Sequence, residues 1–211
     1  PDRKDAQGLT FHYLMPDVDG HNRVFMACQE CGHRPVLVAD AGFMYAAKMS
    51  GYAADYDLFT PDAGELAFLA DEKAPHPFYA RGFLLDSHDN VPGLLARASE
   101  HQNAARFMII KGARDAISEG GRIIHWVDEP QTPAMEAIGG TGDMVTGIVT
   151  GLLAGGMDLP QAALTAARAA RYAGSLAAPT PATQIAEILP FVPQALRKAL
   201  AQNGSGENGQ K

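Results

Sequence analysis

The run Gly139-Gly140-Thr141-Gly142-Asp143 leads directly into an apolar stripe, and no other feature constrains the fold as tightly. Met144, Val145, Ile148, Val149, Leu152 and Leu153 recur every three to four positions, which predicts an amphipathic helix starting near Asp143. Thr146, Gly147, Thr150 and Gly151 fall on the other side, where small side chains would let a second backbone approach. The first N–H groups of such a helix have no partners within it. Gly139, Gly140 and Gly142 allow a sharp turn ahead of it and carry no side chains to hold a ligand away. The product is a cup of amide donors at the positive end of a helix, a general solution for binding phosphate. Asp143 sits oddly there, because a carboxylate repels phosphate. Two readings stand side by side. Asp143 is an N-cap that satisfies an orphan N–H, or it is a general base that takes a proton from a substrate hydroxyl while the amides stabilise a transferred phosphoryl group. The spacing matches neither a Walker loop nor a Rossmann fingerprint.

Upstream, short apolar runs alternate with helical ones. Strands are predicted at LTFHYLM (9–15), PVLVAD (35–40), DYDLFT (55–60) and ARFMIIKG (105–112). Helices are predicted at HNRVFMACQEC (21–31), AGFMYAAKMSG (41–51), ELAFLAD (65–71) and NVPGLLARASEH (90–101). That alternation predicts crossover units and a mostly parallel sheet covered on both faces. DAISEGGRIIHWV (115–127) reads as a hairpin turning at Gly120 and Gly121, with Trp126 as a packing residue. Two Ala/Leu-rich helices, 160–178 and 185–202, follow. Ligands of such sheets bind beyond the carboxyl ends of the strands. Asp40, the TPDAGE turn and KGARD all fall at such ends. Each has a plain alternative: Asp40 as a turn former, Glu65 as a first-turn acid favoured by the helix dipole, Lys111 as a strand-end surface lysine.

Composition narrows the class. A chain of 211 residues, 46% hydrophobic and 19% charged, has enough material for one substantial core. The net charge of -7 argues against nucleic acid and anionic membranes as partners, though not against a nucleotide. No run is long and apolar enough to span a bilayer, and two cysteines make no disulfide framework, so a cytoplasmic setting is expected. CQECGH, with His21 or His12, could hold zinc, but Cys28 and Cys31 also fit an apolar helical face. HPFYARGF (76–83) reads as a segment packed on a sheet edge or as a lid over a ligand. Residues 1–201 are expected to form one domain, and the Gly/Asn/Ser-rich stretch 202–211 a disordered tail.

Taken together, these motifs resemble those of the ribokinase-like superfamily, most closely its NAD(P)H-hydrate dehydratase branch. GGTGDMVTGIVTGLLAGG resembles the signature helix start, with Gly-Thr-Gly-Asp at 140–143. VLVADAGFM resembles the Asp-Ala-Asp strand, LFTPDAGELAFL the Thr-Pro-His-x-Gly-Glu motif, and MIIKGARDAISEGGRI the Lys-Gly strand and hairpin. The resemblance implies a three-layer α/β/α fold with a mostly parallel sheet. It implies that Asp143 is catalytic, that Gly140, Thr141 and Gly142 form the anion hole, that Lys111 and Gly112 line the nucleotide side, and that Gly139 belongs to the same nucleotide-binding set. It places Asp40 and Asp62 on the substrate side and has Glu65 organise Mg²⁺ through water. ATP or ADP would phosphorylate the hydroxyl of a hydrated nicotinamide ring, and loss of phosphate would regenerate NAD(P)H. Asp62 stands where the dehydratases usually carry His, which leaves a sugar or hydroxymethyl kinase as an alternative. LMPDVDGHN stands where a Gly-Pro-Gly turn is usual, and the chain starts one strand before the Asp-Ala-Asp strand. A chain shortened in this way is expected to complete its pocket as a homo-oligomer or with a partner chain, or else to be a non-catalytic nucleotide binder.

Overall fold

The structure, a computed structural model, describes residues 6–11, 17–74 and 90–206. Four parallel strands come first in the sheet: β1 (Ala6–Phe11), β2 (Val36–Asp40), β3 (Leu58–Phe59) and β4 (Phe107–Ile110). The antiparallel β5 (Asp115–Glu119) and β6 (Arg122–Val127) follow, in the order β1-β2-β3-β4-β5-β6. The predicted hairpin forms, with Gly120 and Gly121 at φ +55° and +78°, values that glycine adopts without steric cost. β1 begins three residues before the apolar run predicted for it, because its ladder to β2 starts at Ala6↔Val36. Residues 12–16 and HPFYARGF lie outside the described residues.

Strand alternation builds two cores. Leu37, Ala39, Phe59, Met108, Ile110 and Ala116 face one layer, while Val38, Leu58, Phe107, Ile109 and Ile117 face the other. The first layer is α1 (Val18–Glu30), α2 (Ala41–Met49), α3 (Ala63–Ala70) and α4 (Val91–Glu100). The second is α5 (Thr141–Ala154), α6 (Leu159–Ala177), α7 (Ile185–Ile188) and α8 (Val192–Gly206). Sequential parallel crossovers of one hand place the early helices on one face. After the hairpin the chain passes to the other face, where α5 packs against β1 and β2 and α6 against β4, β5 and β6. The three-layer expectation holds.

Local chemistry accounts for the boundaries. Asp17 caps α1 by accepting the Gly20 N–H at 2.9 Å, so that helix starts three residues earlier than its apolar pattern. The helix predicted for 185–202 is interrupted. Pro190 sits in a 3-10 turn (Leu189–Phe191) between α7 and α8, and Pro193 lies in the first turn of α8. Each proline lacks the N–H that a continuous helix would need. α8 then propagates to Gly206, into the stretch expected to be disordered, because each added residue of a formed helix gains a hydrogen bond. Residues 207–211 lie outside the described residues.

Candidate active site

The carboxyl ends of β2, β3 and β4 meet the first turns of α5. Asp40 ends β2, is only 2% exposed and caps α2 through a 3.0 Å bond from the Ala41 N–H. Ala41 itself takes φ +46°, an uncommon value for a residue with a Cβ and a kind of strain that gathers at functional sites. Lys111 follows β4 directly. Its backbone pairs with Asp62 in an isolated parallel bridge, and its N–H donates to the Pro61 carbonyl at 2.8 Å. The Lys111 Nζ donates to Asp40 Oδ1 at 3.0 Å and lies 3.9 Å from Glu65 Oε2.

The other Asp40 oxygen accepts from Thr146 Oγ1 at 2.8 Å, and Thr146 Oγ1 lies 2.9 Å from Thr60 Oγ1. The Thr146 proton serves the carboxylate, so Thr60 is the donor of the second bond. Sequence reasoning missed this relay. Helical periodicity put Thr146 on the small-residue side of α5, but the structure buries it against the sheet. Among the described residues nothing lies within 4 Å of a Cβ placed at Gly147 or Gly151, so those glycines receive no second backbone there. A threonine one turn after an aspartate at a helix start, with a second threonine at a strand end, was the signal available.

α5 begins at Thr141, two residues before Asp143, and its N-cap is Gly140 with φ +90° and no side-chain cap. The cap reading of Asp143 is therefore corrected. The left-handed turn needed at the cap is one that glycine takes without strain, which fixes the start at Gly140. Asp143 occupies the third helical position, half-buried, as the acid of the first turn. The Thr141 hydroxyl turns back to the Ile138 carbonyl at 3.1 Å, while Gly139 is exposed. A Cβ on Gly142 would stand 3.0 Å from the Lys111 Nζ. The ammonium thus lies against the first turn of α5, and the amide cup and a cation share one floor.

Glu65 and Asp62 are joined by a capping box. The Glu65 N–H donates to Asp62 Oδ1, and the Asp62 N–H donates to Glu65 Oε2, both at 2.7 Å. Tyr45 donates its hydroxyl to Glu65 Oε1 at 2.9 Å. Burial pushes the Glu65 carboxyl up to about 7. Lys111 pulls it down, and Asp62 and Asp40 push it further up. Burial alone would depress Lys111, but the Glu65 and Asp40 carboxylates outweigh it and hold the ammonium above its usual range.

Both oxygens of Asp40 and of Glu65 already have protein donors, and a lysine lies between the two carboxylates. This arrangement does not fit a Mg²⁺ ligated directly by them. Among the described residues no group of three or more His, Cys, Asp or Glu side chains could hold a metal ion. The zinc reading of CQECGH finds no support either. Cys28 is in the first core, Cys31 is exposed and donates to the Ala27 carbonyl at 3.3 Å, and His21 is buried among Phe25, Phe43, Tyr52 and Tyr56.

Gly112 spends both its backbone groups within the protein. Its N–H donates to Asp115 Oδ1 at 3.0 Å, and its carbonyl accepts from Arg171 at 3.0 Å. Its own amide is therefore committed, and what it offers a ligand is the lack of a side chain. The arrangement as a whole can receive an anion at a helix start over a buried ammonium, with a carboxylate in the same first turn.

A family model described as NAD(P)H-hydrate dehydratase matches residues 21–190. An uncharacterized protein of Methanocaldococcus jannaschii is 40% identical over 197 residues, covering 93% of this chain and 82% of that one. The ADP-dependent (S)-NAD(P)H-hydrate dehydratase of Cenarchaeum symbiosum is 31% identical over 138 residues, or 65% of this chain and 42% of that one. Among solved structures, the pyridoxal kinase of Staphylococcus aureus in complex with ADP superposes with a TM-score of 0.56 at 18% identity, over 80% of this chain and 61% of that one. Phosphofructokinase-2 of Escherichia coli superposes at 0.51 and 15% identity, over 85% of this chain and 52% of that one. The chain thus spans less than two thirds of the dehydratase and of both kinases. These kinases share the fold, the motifs occupy one edge of it, and the family match covers most of the sequence: the chain belongs to the NAD(P)H-hydrate dehydratase family, on a ribokinase-like fold.

Proposed function

We propose that this protein is a nucleotide-dependent enzyme of the hydrate-dehydratase kind, using ATP or ADP on a hydrated nicotinamide nucleotide. The observation that carries the reading is the Lys111 ammonium set against Gly142, in the first turn of α5 that also carries Asp143. In this reading the terminal phosphates lie on the N–H groups at 140–143, and Lys111 supplies the positive charge. Asp143 takes the proton of the ring hydroxyl. The freed oxygen bonds to the terminal phosphorus as the bond to the nucleotide's leaving phosphate breaks. Phosphate then leaves the ring, a proton departs from the adjacent carbon, and the double bond of the reduced nicotinamide is restored. Asp40 and Asp62 border the acceptor side. Any Mg²⁺ would arrive on the nucleotide's own phosphates, and no step here depends on it.

A kinase acting on a small alcohol is the second reading. It is favoured by Asp62 at the usual histidine position and by the kinase neighbours. Nucleotide consumption with hydrated NADH, and with a panel of sugars and hydroxymethyl compounds, separates the two. Asp143→Asn is expected to keep ADP binding within about threefold while turnover falls by at least about a hundredfold, the scale of a lost general base. Unchanged turnover would remove Asp143 from the chemistry. Binding without turnover on any acceptor would mark a nucleotide-binding protein instead.

A further inference from the structure

Arg171 lies on α6, outside every motif that carries the family resemblance, and its guanidinium makes a denser set of bonds than the site's own residues. Nε donates to Asp115 Oδ2 at 2.7 Å. One terminal nitrogen donates to the carbonyls of Gly112 and Ala113 at 3.0 and 2.9 Å, and the other to the Asp128 carbonyl at 3.2 Å. The side chain is only 10% exposed. Asp115 completes the grip by accepting the Gly112 N–H. The turn after Lys111 is therefore held by a planar fork from the second layer, with the end of β6 tied to the same group.

Stability alone is a poor account of this arrangement. Taking an arginine and an aspartate out of water costs roughly what their mutual attraction returns. A short strand-to-strand turn has cheaper ways to form. What the fork does uniquely is fix two successive peptide planes. In a planar trans peptide the N–H points opposite to the C=O. Drawing the Gly112 and Ala113 carbonyls toward α6 therefore turns the N–H groups of Ala113 and Arg114 away from it. α6 is a stiff base for the fork, since Ala166, Ala167, Ala169 and Ala173 are fully buried in the core around it.

We infer that Arg171 is a positioning residue for nucleotide recognition, setting the Lys111–Arg114 turn so that Lys111 and the following backbone donors meet the phosphates already arranged. This inference rests on the nucleotide reading above. Arg171 acts through the turn and does not touch the ligand.

The test measures ADP and ATP affinity by calorimetry on the full chain, for the wild type, Arg171→Gln, Arg171→Lys and Arg171→Ala, well below each protein's melting transition. The inference expects Arg171→Gln to raise the Kd for ADP at least about tenfold, with kcat at saturating nucleotide within about threefold. Arg171→Lys, which has no fork, should fall between the wild type and Arg171→Gln. Millimolar guanidinium should restore part of the affinity of Arg171→Ala. A folded Arg171→Gln with wild-type affinity overturns the inference. So does a series in which only the melting temperature moves, or in which no variant folds, because the role is then purely structural. A wild-type chain that binds neither ADP nor ATP sinks the nucleotide reading itself, an outcome distinct from a failure of the clamp.

Discussion

At the scale of single residues, the site is a chain of committed hydrogen bonds with one cation in the middle. Asp40 is buried and survives there because Lys111, Thr146 and the Ala41 N–H all donate to it. Thr146 is the link that ties α5 to this group. Thr146→Val removes the donor to Asp40 and the acceptor of Thr60 while keeping the shape. It is expected to cost about 1–3 kcal/mol in urea denaturation, the price of stranding buried polar groups. Thr146→Ser should recover most of that loss, and equal stability of the valine variant would deny the relay any role. Lys111 was legible because KGARD falls at the carboxyl end of a predicted strand and resembles the family's Lys-Gly strand. Thr146 was not, because helical periodicity assigns a face and cannot say that a carboxylate from another strand waits beneath it.

At the scale of elements, each segment of the site is fixed by its cap. α3 starts where the Asp62–Glu65 box closes, and this box gives Glu65 a structural task beside any ligand role. Asp62→Ala should lower stability by about 1 kcal/mol. The variant leaves the bond from the residue-62 N–H to Glu65 Oε2 but frees the Glu65 N–H, so the first turn of α3 that carries Glu65 beside Lys111 should loosen and nucleotide binding should weaken, read by calorimetry. A loss of stability with unchanged binding would confine Asp62 to capping. α5 shows the limit of pattern reading. The apolar stripe located the helix correctly, but its start depends on the left-handed turn at Gly140, which moves Asp143 from cap to third position. The prolines at 190 and 193 were visible in the sequence, and the break they cause follows from their missing N–H groups.

At the scale of the whole molecule, two cores on opposite faces of one sheet hold the strand ends still, and one of them contains a titratable group. His21 is buried between α1 and α2, with Nε2 3.0 Å from the Tyr56 hydroxyl and Nδ1 3.0 Å from Asn22 Oδ1. Burial lowers its pKa below the usual 6.5, with the Asn22 contact pulling weakly the other way. The unfolded chain therefore binds the proton more readily than the folded one. His21's contribution to stability should be full above pH 6.5 and decline as pH falls from there toward the lowered native value. Denaturation midpoints of the wild type and His21→Gln, compared from pH 8 to pH 5, check this. The wild type should lose stability faster, and parallel slopes would contradict it. The alternation of strands and helices, the glycine cup, the hairpin and the order of the motifs were all determined by the sequence, because periodicity, turn chemistry and capping act over a few neighbouring residues. The tertiary structure alone decided that Lys111 stands between Asp40 and Glu65, that Thr60 and Thr146 meet across 86 positions, and that Arg171 grips a turn 58 residues away. Such contacts depend on which faces of distant elements are pressed together, and no local pattern in the chain encodes that geometry.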